Sequence, residues 1–295
     1  MSQVKVIRLA SALGAQVTGL SLREPTQLLQ QTVLELLLEH KVLFFPDQHL
    51  NVDQHVAFGG LFGELQGHPH KENPVTKHDK IFELAASHGG VADEWHSDIT
   101  FRPQPALFSI LNMVKCPPVG GDTLWSNPEL AYAQLSAPMQ LLCEHVTALH
   151  NAAPHGRPEV MTVHPVVRVH PETNRKALFV NEHFTRRIVE MSHAESEHVL
   201  EYLFLWLSRE QFTVRYRWHA GTIAMWDNRC TQHKVLNDFD EQRIIQRVTV
   251  MGDQVQGAPA AFAPFLRPGH ASDTSRHDEL LAQYLASARP PKRRP

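Results

Sequence analysis

Apolar positions along the chain fall into two periods, and the changes between them mark out its elements. Leu28, Leu29, Val33, Leu36 and Leu37 recur at helical spacing, with Thr26 placed to cap the first turn. Asn51 to Phe62 repeats that pattern and stops at Gly63. Between them, Val42 to Phe45 is apolar without a break and closes at Pro46, the signature of a buried strand. Residues 1–24 read as short strands broken at Gly14 and Gly19. Ala106 to Val114 reads as a strand, Asn127-Pro128 and Ser136-Ala137-Pro138 as two helix starts, and His164 to His170 and Ala177 to Val180 as strands. Ser192-His193-Ala194-Glu195 is a capping box opening a helix to about Leu207, with Val199, Leu203 and Trp206 as its core stripe.

From Phe212 onward the period is that of strands: Phe212 to Arg217, Thr222 to Trp226, Gln232 to Leu236 and Arg243 to Gly252. Residues 64–90 and 150–165, rich in His and Pro, read as loops. Many short strands with a few helices in large insertions predict a mainly β fold, a jelly-roll or barrel of antiparallel sheet. After Gly257 the composition turns to repeated proline. This predicts one domain over residues 1–257 and a loosely held extension over 258–295, with a short helix near Asp278 to Ser287.

Composition narrows the classes. A net charge of −3 over 295 residues argues against a nucleic-acid binder. Cys116, Cys143 and Cys230 are odd in number and scattered, which argues against a disulfide framework and for a reducing, cytoplasmic setting. No apolar run has the length of a signal segment or a membrane span, so no membrane partner is expected.

Candidate chemistry begins at Glu94 to Phe101. Read as a strand, this segment puts His96 and Asp98 on one face, two of the three donors of a metal site built from two histidines and one carboxylate. With 20 histidines in the chain such a spacing is common, so a distant third donor must complete it. His233, delivered by the Trp226 to His233 turn, is that candidate; the alternative is a hydrogen-bonded core histidine. In Gln242 to Val250, alternation places Arg243, Ile245, Arg247 and Thr249 on one face, with the two arginines about 13 Å apart. Guanidinium groups facing an interior need anions. These are either Asp227, Asp238 or Glu241, or the carboxylate and sulfonate groups of ligands.

In this order, these segments resemble the taurine/2-oxoglutarate dioxygenase (TauD/TfdA) family from about Ile7 to Asp253. The likeness also rests on Gly14 to Gly19, Gly120 to Trp125, His164 to Pro171 and Phe179 to Val189. It implies a double-stranded β-helix, with His96, Asp98 and His233 as ligands of Fe(II). It further implies that Thr123 and Arg243 hold the distal carboxylate of the co-substrate 2-oxoglutarate, that Arg247 and His68 bind the substrate's anionic group, and that Phe184 lines its pocket. The implied partners are dioxygen, a small anionic organic substrate and a second or fourth copy of the chain.

The implied reaction couples decarboxylation of 2-oxoglutarate to hydroxylation of a small alkylsulfonate such as taurine, releasing sulfite and an aldehyde. A sulfate ester or an aryloxyalkanoate-like carboxylate would serve the same chemistry. Outside the class stand a non-catalytic anion-binding β-helix and a zinc hydrolase, and the pairing of Arg243 with Thr123 speaks against the latter. Lys71, Ala92 and a short His150 to Val163 segment depart from the taurine-binding pattern.

Overall fold

The structure, a computed structural model, describes residues 3–67, 78–87, 92–266 and 276–287. The N-terminal third comprises β1 (Lys5–Arg8), β2 (Ala15–Thr18), α1 (Gln27–His40), β3 (Val42–Phe45), α2 (Val52–Gly60), β4 (Phe82–Ala86) and β5 (Ala106–Lys115). Then follow β6 (Thr123–Ser126), α3 (Pro128–Ala133), α4 (Ala137–Glu144), β7 (Thr147–Ala152), β8 (Arg157–Pro165), β9 (Val167–Val169), β10 (Lys176–Leu178) and β11 (Thr185–Ile188). The chain closes with α5 (His193–Leu207), β12 (Thr213–Tyr216), β13 (Ile223–Asp227), β14 (Gln232–Val235), β15 (Arg243–Met251) and α6 (Arg276–Ser287).

A seven-stranded sheet, β1-β2-β3-β13-β5-β15-β4, faces the smaller sheet β12-β6-β14 to form the double-stranded β-helix. Period-two alternation assigns the faces of the large sheet. Val42, Phe44, Leu111, Met113, Ala224, Trp226 and Ile245 point inward against Trp125, Val214 and Tyr216 of the small sheet. Their neighbours Leu43, Phe45, Ile110, Ile223, Met225 and Val248 point outward beneath α1 and α2, which contribute Leu29, Val33, Leu37 and Phe58. Burial on both faces explains why these strands read as continuous apolar runs. Phe44 stacks on Tyr216 at 3.8 Å between centroids, and Trp125 meets Trp226 edge-on at 5.6 Å. That aromatic floor lies directly under the site.

The capping signals at Thr26, Asn127 and Ser192 are realised, Ser136 makes no side-chain cap, and Asn51 is a further cap. Thr26 Oγ1 accepts from the Leu29 amide, Asn51 and Gln54 form a capping box, Asn127 accepts from the Leu130 amide, and Ser192 and Glu195 form a second box. Two loop expectations are corrected. Residues 150–165 form the hairpin of β7 and β8 around a single 3-10 turn, Ala153–His155, and β4 falls inside the other expected loop. Their polar composition hid the strands because the hairpin's histidines point inward: His164 Nε2 donates to the Thr100 and Arg102 carbonyls.

Beyond Gly257 the described residues make contacts with the rest of the chain. The Ala261 and Phe265 amides donate to the His145 and Val189 carbonyls, and Leu280 and Leu281 of α6 pack with Leu149 and Val189. Proline blocks regular structure there but not packing. Among the described residues no helix is long and apolar enough to cross a membrane.

His55 of α2 is fully enclosed against β5, its Nε2 donating to the Ile110 carbonyl at 3.0 Å. Burial pushes this imidazole down to about 4. As pH falls below about 6.5 the unfolded chain takes up this proton before the folded one does, so stability is lost between about 6.5 and about 4. In urea unfolding, wild type should lose about 2 kcal/mol more between pH 7.5 and 5.0 than His55→Asn.

Candidate metal and co-substrate site

The candidate triad is assembled by backbone pairing between two remote segments. The His96 amide donates to the His233 carbonyl at 3.1 Å, and the His233 amide returns the bond at 2.8 Å. Ser97 Oγ donates to the Thr231 carbonyl at 2.7 Å, and the Asp98 amide donates to Asn228 Oδ1 at 3.1 Å. His96 therefore sits in an isolated bridge, and Asp98 opens a turn rather than continuing the expected strand. Ile99 takes φ +49°, a left-handed conformation that a β-branched residue adopts only when its surroundings impose it. The turn swings the carboxylate in beside both imidazoles. Single ligand atoms of His96, Asp98 and His233 lie within 4.8 Å of one another, with His96 Nε2 3.9 Å from Asp98 Oδ1.

His96 Nδ1 donates to the Glu94 carbonyl at 2.8 Å, which leaves the Nε2 lone pair for a metal. Burial pushes both imidazoles down, His233 the farther of the two. For Asp98, burial pushes the carboxyl up, but the Arg247 charge, the two histidines and a hydrogen bond from Ser109 outweigh it and hold the carboxyl well below its usual range. At neutral pH the three groups therefore stand as two neutral imidazoles and one carboxylate. Such a donor set suits Fe(II), with coordination positions left for a chelating co-substrate and dioxygen.

The triad opens onto a cavity of about 610 Å³. At one end lie Thr123, Asn237 and Arg243. Arg243 Nε donates to the Gly121 carbonyl at 3.2 Å, while its buried Nη2 has no protein partner. Both amide atoms of Asn237 are likewise unpartnered. Thr123 Oγ1 accepts from Trp218 Nε1 at 2.9 Å, so its own hydrogen is free for another acceptor. Buried donors without acceptors are costly, and a carboxylate placed there would satisfy them. The Gly120-Gly121 turn builds this corner with φ of +80° and +69°; a Cβ on Gly120 would collide with the Asp238 carbonyl oxygen.

Arg247, on the same inward face of β15, donates from Nη1 to Asp98 Oδ1 at 2.6 Å and lies over the Phe82 ring; its buried Nε has no partner. Neither arginine pairs with Asp227, Asp238 or Glu241 among the described residues. Asp227 is taken by Arg229, at 2.7 Å, and His170. The nearby cluster of His170, Asp227 and Cys230 is thus already neutralised by a guanidinium and offers no cation site.

Phe184 meets His96 edge-on at 6.2 Å between centroids and continues into Phe101 at 5.2 Å and His155 at 5.4 Å, forming a ring wall that leads outward from the triad. His68 and Lys71 lie outside the described residues. Ser109, Trp218, Asn228, Asn237 and His155 escaped the sequence reading. Only Ser109, a polar residue inside an apolar strand, carried a local signal.

A double-stranded β-helix with this donor set and a donor-rich cavity end defines the class of 2-oxoglutarate-dependent non-haem iron dioxygenases. The model of the family described as taurine catabolism dioxygenase TauD, TfdA matches residues 5–249, and the chain belongs to that family. Among its relatives, an alkylsulfatase of Acinetobacter baylyi is 36% identical over 279 residues, covering 87% of each chain. An alpha-ketoglutarate-dependent sulfate ester dioxygenase of Pseudomonas putida is 34% identical over 291 residues, covering 90% of this chain and 96% of its own. The solved structure of a taurine dioxygenase from Burkholderia xenovorans superposes with a TM-score of 0.79 at 35% identity, covering 87% of this chain and 93% of that one. The family uses Fe(II), 2-oxoglutarate and dioxygen, and the donors described here fit all three.

Loss of the Arg243 guanidinium should weaken 2-oxoglutarate binding by about 10- to 100-fold, the worth of a hydrogen bond to a charged group. Anaerobic titration of Fe(II)-loaded Arg243→Ala, followed by its visible charge-transfer absorption, measures this. An unchanged Kd would remove Arg243 from the co-substrate site.

Proposed function

We propose that this chain oxidises a small organosulfur anion, first among them an alkyl sulfate ester, at the carbon next to the anionic group. His96, Asp98 and His233 would hold Fe(II), and Thr123 and Arg243 the distal carboxylate of 2-oxoglutarate. The observation that carries the reading is Arg247: a half-buried guanidinium beside the metal-facing carboxylate, with a buried, unpartnered Nε, at the inner end of a wall of rings. An anion held there would set its first carbon beside Asp98 and the two imidazoles that would hold the metal, with the chain beyond running along Phe184 towards His155.

Bound there with 2-oxoglutarate and dioxygen, the iron supplies the oxidising power for hydroxylation. The protein's own residues position. Arg247 fixes the anion, Phe184 and the hairpin tip exclude water, and Asp98 and the two imidazoles enter already in their binding protonation states. Hydroxylation of the carbon bearing a sulfate ester gives a hemiacetal-like product that breaks its C–O bond to sulfate and an aldehyde. A sulfonate is the second reading, favoured by the likeness to a taurine dioxygenase structure. There the C–S bond breaks and sulfite leaves.

The reading also includes a cytoplasmic location, supported by three free thiols, and a dimer or tetramer, which light scattering would test. Incubation with Fe(II), 2-oxoglutarate, dioxygen and either hexyl sulfate, hexanesulfonate or taurine decides the substrate by the ions released. Hexyl sulfate should give sulfate, hexanal and succinate in equal amounts. Sulfite from the sulfonates without turnover of hexyl sulfate would favour the second reading, and succinate production indifferent to all three compounds would sink both. Arg247→Ala should lower kcat/KM for the favoured anion by roughly 10-fold or more, the worth of a hydrogen bond to a charged group.

A further inference from the structure

Asp98 is held by a closed ring of hydrogen bonds whose direction is fixed by chemistry. Asn228 Oδ1 accepts from the Asp98 amide at 3.1 Å and from Trp226 Nε1 at 3.2 Å. Two N–H donors on one side forbid the flipped amide, because its NH2 would then face them. The Asn228 amide nitrogen must therefore point the other way, and it donates to Ser109 Oγ at 2.9 Å. With that lone pair occupied, Ser109 sends its own hydrogen to Asp98 Oδ2, at 2.6 Å. The ring closes on the same aspartate whose backbone opened it.

Ser109 and Asn228 are buried, and both positions are set by the sheet. Ser109 lies on the inward face of β5, opposite Trp226 on one side and Thr249 on the other, while Asn228 follows directly after β13. With Oδ2 occupied by the Ser109 hydroxyl, only Oδ1 is turned towards His96 Nε2 and Arg247. Each oxygen keeps one lone pair beyond its hydrogen bond, so what selects Oδ1 is the direction in which the ring holds the carboxylate, with Oδ2 turned to Ser109 and Oδ1 to His96 Nε2.

We propose that Ser109 and Asn228 are positioning residues that make Asp98 a one-oxygen ligand, presenting Oδ1 alone to the metal. The proposal rests on the reading of His96, Asp98 and His233 as the metal ligands. Its consequence is economy of coordination positions: a carboxylate that also used Oδ2 would take a position needed by the co-substrate or dioxygen.

The test uses Co(II) alone with the full chain, read by affinity and by the visible d–d spectrum. Ser109→Ala should bind Co(II) about 10- to 100-fold more weakly, the usual cost of losing a partner of a metal ligand, and with an altered spectrum. Ser109→Thr, which keeps the hydroxyl, should retain both. Asn228→Ala should resemble Ser109→Ala, and the double variant should lose little beyond either single one, because the two residues act in series.

If far-UV circular dichroism shows Asn228→Ala unfolded, the Ser109 pair decides alone. Ser109→Ala with wild-type affinity and spectrum overturns the proposal, as does a double variant whose losses simply add. Wild-type protein that binds no Co(II) overturns the metal reading itself. Wild-type binding with unaltered variants overturns only the positioning role.

Discussion

The two-way backbone bond between His96 and His233 is the constraint on which the site depends. It ties the segment after β4 to the start of β14, so that candidate ligands far apart in sequence share one point in space. The turn at Asp98 has meaning only against that bond. It helps hold the left-handed Ile99, a conformation costing about 1–3 kcal/mol, together with the Arg102 amide on the Ile99 carbonyl and the packing of Ile99 against Phe101 and Phe184. Ser97 Oγ on the Thr231 carbonyl and the Asp98 amide on Asn228 reinforce the same join.

Around that join the fold concentrates polar groups that a core would ordinarily reject. The large sheet is buried on both faces, and its inward face carries Ser109, Arg243 and Arg247 beside Trp226 and Ile245. Each of these three polar side chains has either a protein partner or a cavity to face. Ser109 is fully paired, Arg247 is paired through Asp98, and Arg243 keeps one donor turned to the cavity. A sheet built only for stability would fill these positions with apolar side chains, so their presence marks this end of the barrel as the candidate site. The pairing of Asp227 with Arg229 and His170 shows the contrasting case, a buried charge cluster satisfied entirely by the protein.

Much of the fold was legible in the residues. The helix caps at Thr26, Asn51, Asn127 and Ser192 are local interactions, and a sequence states local interactions directly. The inward face of β15 was legible too, because period two is a property of one strand. The β7 and β8 hairpin was not, since its buried histidines satisfy themselves on Thr100 and Arg102, which only folding brings near. The docking of the proline-rich stretch after Gly257 was hidden for the same reason, because its partners His145 and Val189 are remote in sequence.

The sequence by itself determined the donor types, the order of the motifs, the family and the strands on which the arginines stand. These follow from side-chain chemistry and short-range period, which need no third dimension. Only the tertiary structure decided that Asp98 lies in a turn rather than a strand and that Arg247 reaches that carboxylate. It alone showed that Ser109 and Asn228 close a ring around the carboxylate, and that Trp218 orients Thr123. Each of those facts is a hydrogen bond or turn whose geometry depends on contacts between distant segments, and no pattern along one segment encodes the angle at which another will meet it.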